Sequence, residues 1–277
     1  MSRIKNLVTA KWLISNISLD NLKICDATYF LPTHNRDAEK EYVNEHIANA
    51  IRFDIDAIKD PDSDLPHMLP TREKWEQILS CLGISNEDRI IVYDNSDVVS
   101  SCRGWYNFIY FGHDKDQVSV LDGGLKKWII EKKMTTNENT NILKSKYIAR
   151  ENKHLVKNIN EINDNIKTKN FKVIDARSKE RFNGTAPDPR KNVRSGSIPN
   201  SLCLPYKEVI NSRDNTFKNR SEISKKFDEI IDSNDNNRVF SCGSGITACV
   251  LSLAYSLVNN TYSPTVYDGS WAEYGKL

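Results

Sequence analysis

The sequence lacks several features that would place a protein in a class at once. It has no apolar run approaching the roughly 20 residues that span a membrane, and its N-terminal residues contain no signal-peptide core. It also lacks an excess of charge, because 39 basic residues against 37 acidic residues leave a net charge of +2. We therefore expect a cytoplasmic protein with no membrane partner and no nucleic-acid partner.

Paired cysteines are missing as well. The six cysteines are scattered along the chain, and no two of them form a Cys-x-x-Cys pair. A chain of 277 residues is long enough to bury its own core and does not need disulfide staples. We interpret all six as reduced thiols, and we predict neither a disulfide framework nor a metal site.

One cysteine lies in a setting that is typical of a reactive thiol. Cys242 follows a short apolar strand expected at residues 238–240 and precedes a helix expected at 248–257, with a small Gly-Ser-Gly loop after it. The N–H groups of such a loop and of the first helical turn favour a negative charge, and the thiolate is the nucleophilic form of cysteine. A buried, inert cysteine is the alternative, but the small residues around Cys242 favour chemistry.

The same order of features occurs twice along the chain at a nearly constant offset. In each copy, an apolar strand ending in aspartate is followed by a second strand with a loop and helix after it, and then by a strand that ends in Asp-Gly. The corresponding stretches are 24–28 and 173–177, 89–93 and 238–241, and 118–124 and 264–270. Two copies of one domain are the economical interpretation.

The alternation of strands with helical patterns, such as those at 74–82 and 223–231, predicts the fold class. We expect an α/β protein of tandem domains, each a mainly parallel sheet flanked by helices. The N-terminal domain should cover residues 1–135 and the C-terminal domain residues 158–277. Between them, the polar segment 136–157 is expected to be a linker.

The repeat distinguishes the two copies chemically. The first copy has Asp94 where the second has Cys242. Only the C-terminal domain can therefore be catalytic by thiolate chemistry, and the N-terminal domain is expected to have a structural or substrate-framing role.

These residues resemble the two-domain rhodanese-like sulfurtransferases and, within them, the 3-mercaptopyruvate sulfurtransferases. In that family the loop Cys-Gly-Ser-Gly-(Val/Ile)-Thr-Ala marks the mercaptopyruvate branch, whereas thiosulfate-using rhodaneses have Cys-Arg-Lys-Gly. This chain has Cys-Gly-Ser-Gly-Ile-Thr-Ala from Cys242. The resemblance covers nearly the whole chain. It departs where the family commonly shows His-Ile-Pro-Gly-Ala, since Asn49 and Asn200 stand at the glycine positions.

The resemblance implies that the substrate is 3-mercaptopyruvate and that Arg181 and Arg190 bind it. The carboxylate and ketone of this small anion suit the planar donors of arginine. The sulfur anion left on Cys242 would be stabilised by N–H groups of the loop and first helical turn. The residues implied to supply them are Gly243, Gly245, Ile246 and Thr247.

The resemblance also implies a proton relay of Asp56, His67 and Ser244. An acid, an imidazole and a hydroxyl in a row can fix a histidine tautomer and pass a proton. The alternative is that His67 only braces the interface between the two copies.

The reaction implied is a ping-pong sulfur transfer. Cys242 attacks the sulfur of 3-mercaptopyruvate, pyruvate leaves, and a persulfide remains on the cysteine. An acceptor then removes the outer sulfur; it is expected to be a small thiol, thioredoxin or cyanide. This chemistry needs no metal or organic cofactor.

Three alternatives differ in how well the sequence fits them. A cysteine phosphatase would need arginine six residues after its nucleophile, where this chain has Ala248, so that class is excluded. A thiosulfate sulfurtransferase would share the fold and the nucleophile, and we keep this reaction as a secondary activity. A non-enzymatic rhodanese-like module for binding or redox sensing usually lacks the loop cysteine, which this chain retains.

Overall fold

The computed structural model describes residues 6–231 and 237–277, and the chain divides into two compact units. Unit 1 contains residues 6–60, 69–152 and 212–216. Unit 2 contains the short segment 61–68 together with the described residues of 153–211 and 217–277. Each unit is built around its own sheet.

The described residues of unit 1 form five strands and six α-helices. The strands are β1 (Leu7–Val8), β2 (Leu22–Asp26), β3 (Ala50–Arg52), β4 (Arg89–Tyr93) and β5 (Val118–Leu121). The helices are α1 (Ala10–Asn16), α2 (Ala38–Asn44), α3 (Ile55–Ile58), α4 (Arg72–Cys81), α5 (Ser101–Tyr110) and α6 (Gly124–Ile130). The sheet is parallel throughout, in the order β1-β5-β4-β2-β3. Its central strands are apolar and buried, as expected where both faces of a parallel sheet are covered.

Unit 2 repeats this plan. The strands are β6 (Val156–Lys157), β7 (Lys172–Asp175), β8 (Leu202–Cys203), β9 (Arg238–Ser241) and β10 (Val266–Tyr267). The helices are α7 (Ile159–Thr168), α8 (Lys179–Phe182), α9 (Arg220–Asp228), α10 (Ile246–Val258) and α11 (Ser270–Tyr274). The strands are again parallel, in the order β6-β10-β9-β7-β8. Corresponding strands therefore occupy corresponding places, which confirms the predicted α/β fold of two related domains.

The helix expected at 223–231 begins earlier and ends earlier than the apolar pattern indicated. Asn219 and Glu222 form a capping box, in which each side chain accepts a hydrogen bond from the backbone N–H of the other residue. The cap starts α9 at Arg220, one turn before the first buried residue, Ile223. Polar capping residues thus set the boundary that apolar periodicity misplaced.

Asn49 and Asn200, which stand where the resemblance leads us to expect glycine, both have a φ of 64°, in the left-handed region. Asparagine adopts this region more readily than other non-glycine residues. Both positions are therefore ones that glycine would also suit.

The segment expected to be a linker packs against unit 1 as far as Asn152. Tyr147 is buried and stacks on His113, with 5.8 Å between ring centroids, and its hydroxyl lies 3.1 Å from Nδ1 of that histidine. The backbone N–H of Arg150 donates to the carbonyl oxygen of Phe111 at 3.0 Å. The segment is polar in composition, yet these contacts fix it to the fold.

Gly104 lies inside α5, where glycine ordinarily costs about 1 kcal/mol relative to alanine. A Cβ atom at this position would lie 2.8 Å from Cγ1 of Val92 on β4 and 3.4 Å from Cβ of Ala27. We therefore expect Gly104→Ala to reduce the free energy of unfolding by about 1–3 kcal/mol, because overpacking outweighs the gain in helix propensity. Urea denaturation would measure the change.

The control for this substitution is Gln77→Ala, at an exposed position of α4 in the same unit. It should alter the free energy of unfolding by less than about 0.5 kcal/mol. A Gly104→Ala variant that is more stable than the wild type would show that the contact with β4 does not require glycine.

Candidate active site

The predicted nucleophile lies between the end of β9 and the start of α10. Cys242 is buried, with 2% of its surface exposed. Gly245 caps α10 with a φ of 82°, a left-handed conformation in which glycine has no steric cost. Ile246 and Thr247 form the first turn of this 13-residue helix, where N–H groups have no partner within the helix. The loop therefore brings Cys242 next to the positive end of a helix dipole.

The start of α11 holds the same loop from its backbone. The N–H of Cys242 donates to Oγ of Ser270 at 3.1 Å, and that hydroxyl donates to the carbonyl oxygen of Tyr267 at 2.8 Å. The N–H groups of Trp271 and Ala272 donate to the carbonyl oxygens of Cys242 and Gly243, both at 2.9 Å. These bonds fix the backbone of the nucleophile and of the residue after it.

Sequence reasoning did not single out Ser270, although the repeat contained a signal. In unit 1, Gly124 occupies the corresponding turn, and Leu125 donates to the carbonyl oxygen of Asp94 at 2.9 Å, as Trp271 does to that of Cys242. Gly124 and Ser270 both have positive φ values, 53° and 50°. A serine in a turn that favours glycine indicates a task for its hydroxyl.

The two arginines expected to bind substrate are brought together beside the loop. Arg181 lies on α8, and Arg190 follows in the next loop. A Cβ atom placed on Gly243 would lie 3.5 Å from Nη2 of Arg181 and 3.6 Å from Nη2 of Arg190. Nη1 of Arg190 also donates to the carbonyl oxygen of Gly243 at 2.7 Å. The absence of a side chain at Gly243 leaves room for both guanidinium groups next to Cys242.

A carboxylate that the sequence analysis passed over joins these arginines. Asp188 accepts hydrogen bonds from Nη2 of Arg181 at 2.6 Å and from Nε and Nη2 of Arg190 at 2.8 and 3.0 Å. Burial alone would raise the pKa of Asp188, but the hydrogen bonds from Arg190 and Arg181 outweigh it and lower that pKa to about 2. The available signal was an acidic residue between two prolines and within a few residues of both arginines.

Two of the three relay residues meet within unit 2. Nδ1 of His67 lies 3.1 Å from Oγ of Ser244, and His67 is 5% exposed with a φ of 60°. Asp56 belongs to unit 1, where it lies in the first turn of α3 and forms an ion pair with Lys59 at 3.2 Å. The His67–Ser244 contact is therefore part of the described site, and the role of Asp56 stays a prediction.

Asp94, the counterpart of Cys242 in unit 1, fills its own loop with a carboxylate. The backbone N–H groups of Ser96, Ser100 and Ser101 donate to its oxygens at 3.0 to 3.2 Å. Burial raises the pKa of Asp94, although hydrogen bonds from Ser101 and Ser96 oppose this rise. The backbone N–H groups of this loop therefore bind the carboxylate of Asp94, which does not act as a nucleophile toward sulfur.

The other cysteines differ from Cys242 in their surroundings. Burial raises the pKa of Cys25 strongly and that of Cys203 to about 11, so both remain thiols at neutral pH. Cys249 is buried, as expected for its helical position, and donates to the carbonyl oxygen of Gly245. None of the six cysteines forms a disulfide bond. Cys242 alone among them lies in the loop between β9 and α10.

Within residues 6–231 and 237–277, no cluster of three or more His, Cys, Asp or Glu side chains could hold a metal ion. In the same part of the chain, no helix is long and apolar enough to cross a membrane.

Comparison with known proteins identifies the family. The rhodanese-like domain family matches residues 9–131 and 158–277. The thiosulfate/3-mercaptopyruvate sulfurtransferase 1, mitochondrial, of Arabidopsis thaliana is 37% identical over 97% of this chain and 75% of its own length. The 3-mercaptopyruvate sulfurtransferase of Escherichia coli K12 is 33% identical over 97% of this chain and 94% of its own length.

A solved structure gives the same result. The crystal structure of SseA from Escherichia coli, described as a 3-mercaptopyruvate sulfotransferase with the rhodanese fold, superposes with a TM-score of 0.86 at 31% sequence identity. The match covers 97% of this chain and all of that one. The chain therefore belongs to the rhodanese-like sulfurtransferases, as a tandem pair of rhodanese-like domains similar along its whole length to 3-mercaptopyruvate sulfurtransferases.

Proposed function

We propose that this protein transfers sulfur from 3-mercaptopyruvate to a thiol or to cyanide through a persulfide on Cys242, and that it releases pyruvate. The observation that carries this proposal is the position of two guanidinium groups against Gly243, the residue that follows the nucleophile. A small 2-oxo acid has one carboxylate and one carbonyl for such a pair to bind. Its sulfur would then lie next to Cys242.

In the first half-reaction, the Cys242 thiolate attacks the sulfur of 3-mercaptopyruvate. An S–S bond forms while the C–S bond breaks, and the electron pair of that bond leaves as the enolate of pyruvate. The proton of the substrate thiol is transferred to the enolate carbon, with Ser244 and His67 as the proposed path. Each side of the step carries the same charge, because one thiolate is replaced by one persulfide anion and one carboxylate by another.

In the second half-reaction, the acceptor attacks the outer sulfur of the persulfide. The S–S bond breaks, the Cys242 thiolate is restored, and the acceptor leaves as a persulfide or, from cyanide, as thiocyanate. Until then the persulfide anion is stabilised by the helix N-terminus and by N–H groups of the loop and first turn. The proposed donors are those of Gly243, Gly245, Ile246 and Thr247. Thioredoxin and small thiols are the proposed acceptors.

Thiosulfate is the second candidate donor, because the Arabidopsis relative is named for both activities. Thiosulfate carries two negative charges, and neither Gly243 nor Ser244 adds a cation to the loop. Asp188 also neutralises part of the charge of the two arginines. We therefore propose 3-mercaptopyruvate as the preferred donor and thiosulfate as a secondary one.

A steady-state comparison of the two donors with cyanide as acceptor tests this proposal. We expect kcat/KM to be at least about tenfold higher with 3-mercaptopyruvate. In the absence of an acceptor, each chain should release one pyruvate, and mass spectrometry should find one added sulfur on the peptide that contains Cys242. A higher kcat/KM with thiosulfate would reverse the assignment of the donor.

The contact between His67 and Ser244 leads to a prediction about proton transfer. We expect His67→Asn and Ser244→Ala each to slow pyruvate release on the order of 10²-fold, because each removes one member of the path. Asparagine suits the test, since it tolerates the positive φ of His67. The double variant should release pyruvate at most about twofold more slowly than either single variant, as expected for residues that act as a unit.

Single-turnover pyruvate release, followed over a range of pH, is the measurement. His154→Asn, at an exposed histidine of the same unit, is the matched control and should leave the rate unchanged. Additive losses in the double variant would mean that the two side chains act independently.

For the compartment, we propose the cytosol. The six cysteines, none of which forms a disulfide bond, suit a reducing environment. Cell fractionation would test this directly, and the mitochondrial location in the name of the Arabidopsis relative is the alternative.

A further inference from the structure

The carboxylate of Asp188 is surrounded by the two arginines of the site. Three guanidinium nitrogens donate to it, one from Arg181 and two from Arg190. A fourth donor is the backbone N–H of Arg190, which reaches Oδ1 at 3.1 Å. Both oxygens are therefore occupied by donors from the residues that the proposed function assigns to the substrate.

The burial of this group differs from that of its partners. The side chain of Asp188 is 1% exposed, whereas those of Arg181 and Arg190 are 29% and 28% exposed. The carboxylate thus lies beneath the guanidinium groups, and it remains ionised because its pKa is lowered to about 2. A buried, ionised carboxylate with two arginine partners is a fixed anchor for both of them.

The anchor leaves donors available for a ligand. Nη2 of Arg181 is used on Asp188, but Nε of Arg181 is buried and has no hydrogen-bond partner among the described residues. Arg190 spans from Asp188 to the carbonyl oxygen of Gly243, which fixes the plane of its guanidinium. The side chain of Arg181 as a whole is 29% exposed, so a ligand can approach its guanidinium from solvent.

The anchor also changes the charge of the site. The two guanidinium groups lie 3.5 and 3.6 Å from the position that a Cβ atom of Gly243 would occupy. Without a counter-ion, their like charges would repel and would favour moving the side chains apart into solvent. With Asp188 ionised, the three side chains together carry a charge of +1. That charge complements a monocarboxylate.

We propose that Asp188 is a positioning residue for sulfur loading. It holds Arg181 and Arg190 beside Cys242 in the geometry that binds the carboxylate of a 2-oxo acid. Its negative charge also leaves the three side chains with a joint charge of +1, which matches a ligand with one negative charge. The proposal rests on the proposed function. Asp188 itself takes no part in the formation or cleavage of the persulfide S–S bond. Its removal should therefore weaken donor binding and leave sulfur discharge unchanged.

The test separates the two half-reactions. In Asp188→Asn, the KM for 3-mercaptopyruvate in the loading step should rise about 10- to 100-fold. Discharge of a preformed Cys242 persulfide to cyanide should stay within about twofold of the wild-type rate. Because the pKa of Asp188 is about 2, the ratio of variant to wild-type KM should not change with pH above about 4.

Asp214→Asn is the matched control, since it removes a carboxylate that forms an ion pair with Lys127 at 2.7 Å in unit 1. It should alter neither half-reaction. If Asp188→Asn does not fold, as judged by its thermal midpoint, Asp188→Glu carries the test. The longer side chain keeps the charge but displaces the arginines, so the loading KM should rise a few fold with discharge unchanged.

An unchanged loading KM in the folded variant, or equal slowing of both half-reactions, would overturn the positioning role. Failure of the proposed function is distinguishable, because the wild type would then release no pyruvate from 3-mercaptopyruvate. If the wild type loads sulfur normally and Asp188→Asn has the same loading KM, only the positioning role of Asp188 is refuted and the proposed function stands.

Discussion

Replacing Cys242 with serine is expected to lower pyruvate release from 3-mercaptopyruvate by at least about 10³-fold. A serine hydroxyl has nearly the same size, so the loop and its bonds to α11 should remain intact. It cannot form a persulfide, however, and a neutral hydroxyl is a poor nucleophile at neutral pH. Coupling pyruvate formation to its reduction by NADH gives the rate, and mass spectrometry gives the sulfur content of the enzyme.

Two other cysteines provide controls for this substitution. Cys81→Ser changes an exposed thiol of unit 1, and Cys203→Ser changes a half-buried thiol of unit 2 whose pKa is about 11. Both variants should keep the wild-type rate. If Cys242→Ser still releases pyruvate at a comparable rate, the persulfide mechanism is wrong.

The second large effect is expected at Arg190. Its guanidinium donates in three directions, to each oxygen of Asp188 and to the carbonyl oxygen of Gly243. Lysine keeps the charge but has all of its donors on one nitrogen, so it cannot hold this geometry and bind a carboxylate as well. We expect Arg190→Lys to reduce kcat/KM for 3-mercaptopyruvate on the order of 10²-fold, mainly through KM.

Steady-state kinetics with both donors would measure this loss. Lys191→Gln is the appropriate control, because it removes a neighbouring positive charge at an exposed position outside the site. Its kcat/KM should match that of the wild type. An equal loss in the two variants would mean that general electrostatic attraction, rather than the planar contact of Arg190, governs donor binding.

Much of the fold could be predicted because the sequence presents its pattern twice. The apolar strands ending at Asp26 and Asp175 are interior strands of their parallel sheets, and their neighbours β4 and β9, the central strands, are followed by the loops of Asp94 and Cys242. Parallel strands bring their carboxyl ends to one edge, so the position of the cysteine after β9 already implied its setting. The repeat, rather than any single motif, made that inference secure.

The parts that could not be predicted depend on contacts between distant segments. Ser270 follows Cys242 by 28 positions, and its bond to the Cys242 N–H depends on the meeting of β9 and α11. In the sequence, Asp188 is indistinguishable from a solvent-exposed acidic residue of a loop. Only the folded structure shows that it is buried beneath two arginines. Apolar periodicity contains no information about such polar contacts, because it reports which face of an element is buried and not which donors face each other.

The burial of Cys242 has a consequence for the second substrate. Only 2% of the surface of Cys242 is exposed. We therefore expect cyanide and small thiols to reach the persulfide more readily than a thiol on a flat protein surface. A protein acceptor is expected to present its cysteine on a projecting loop, so that acceptors would differ in shape as well as in chemistry.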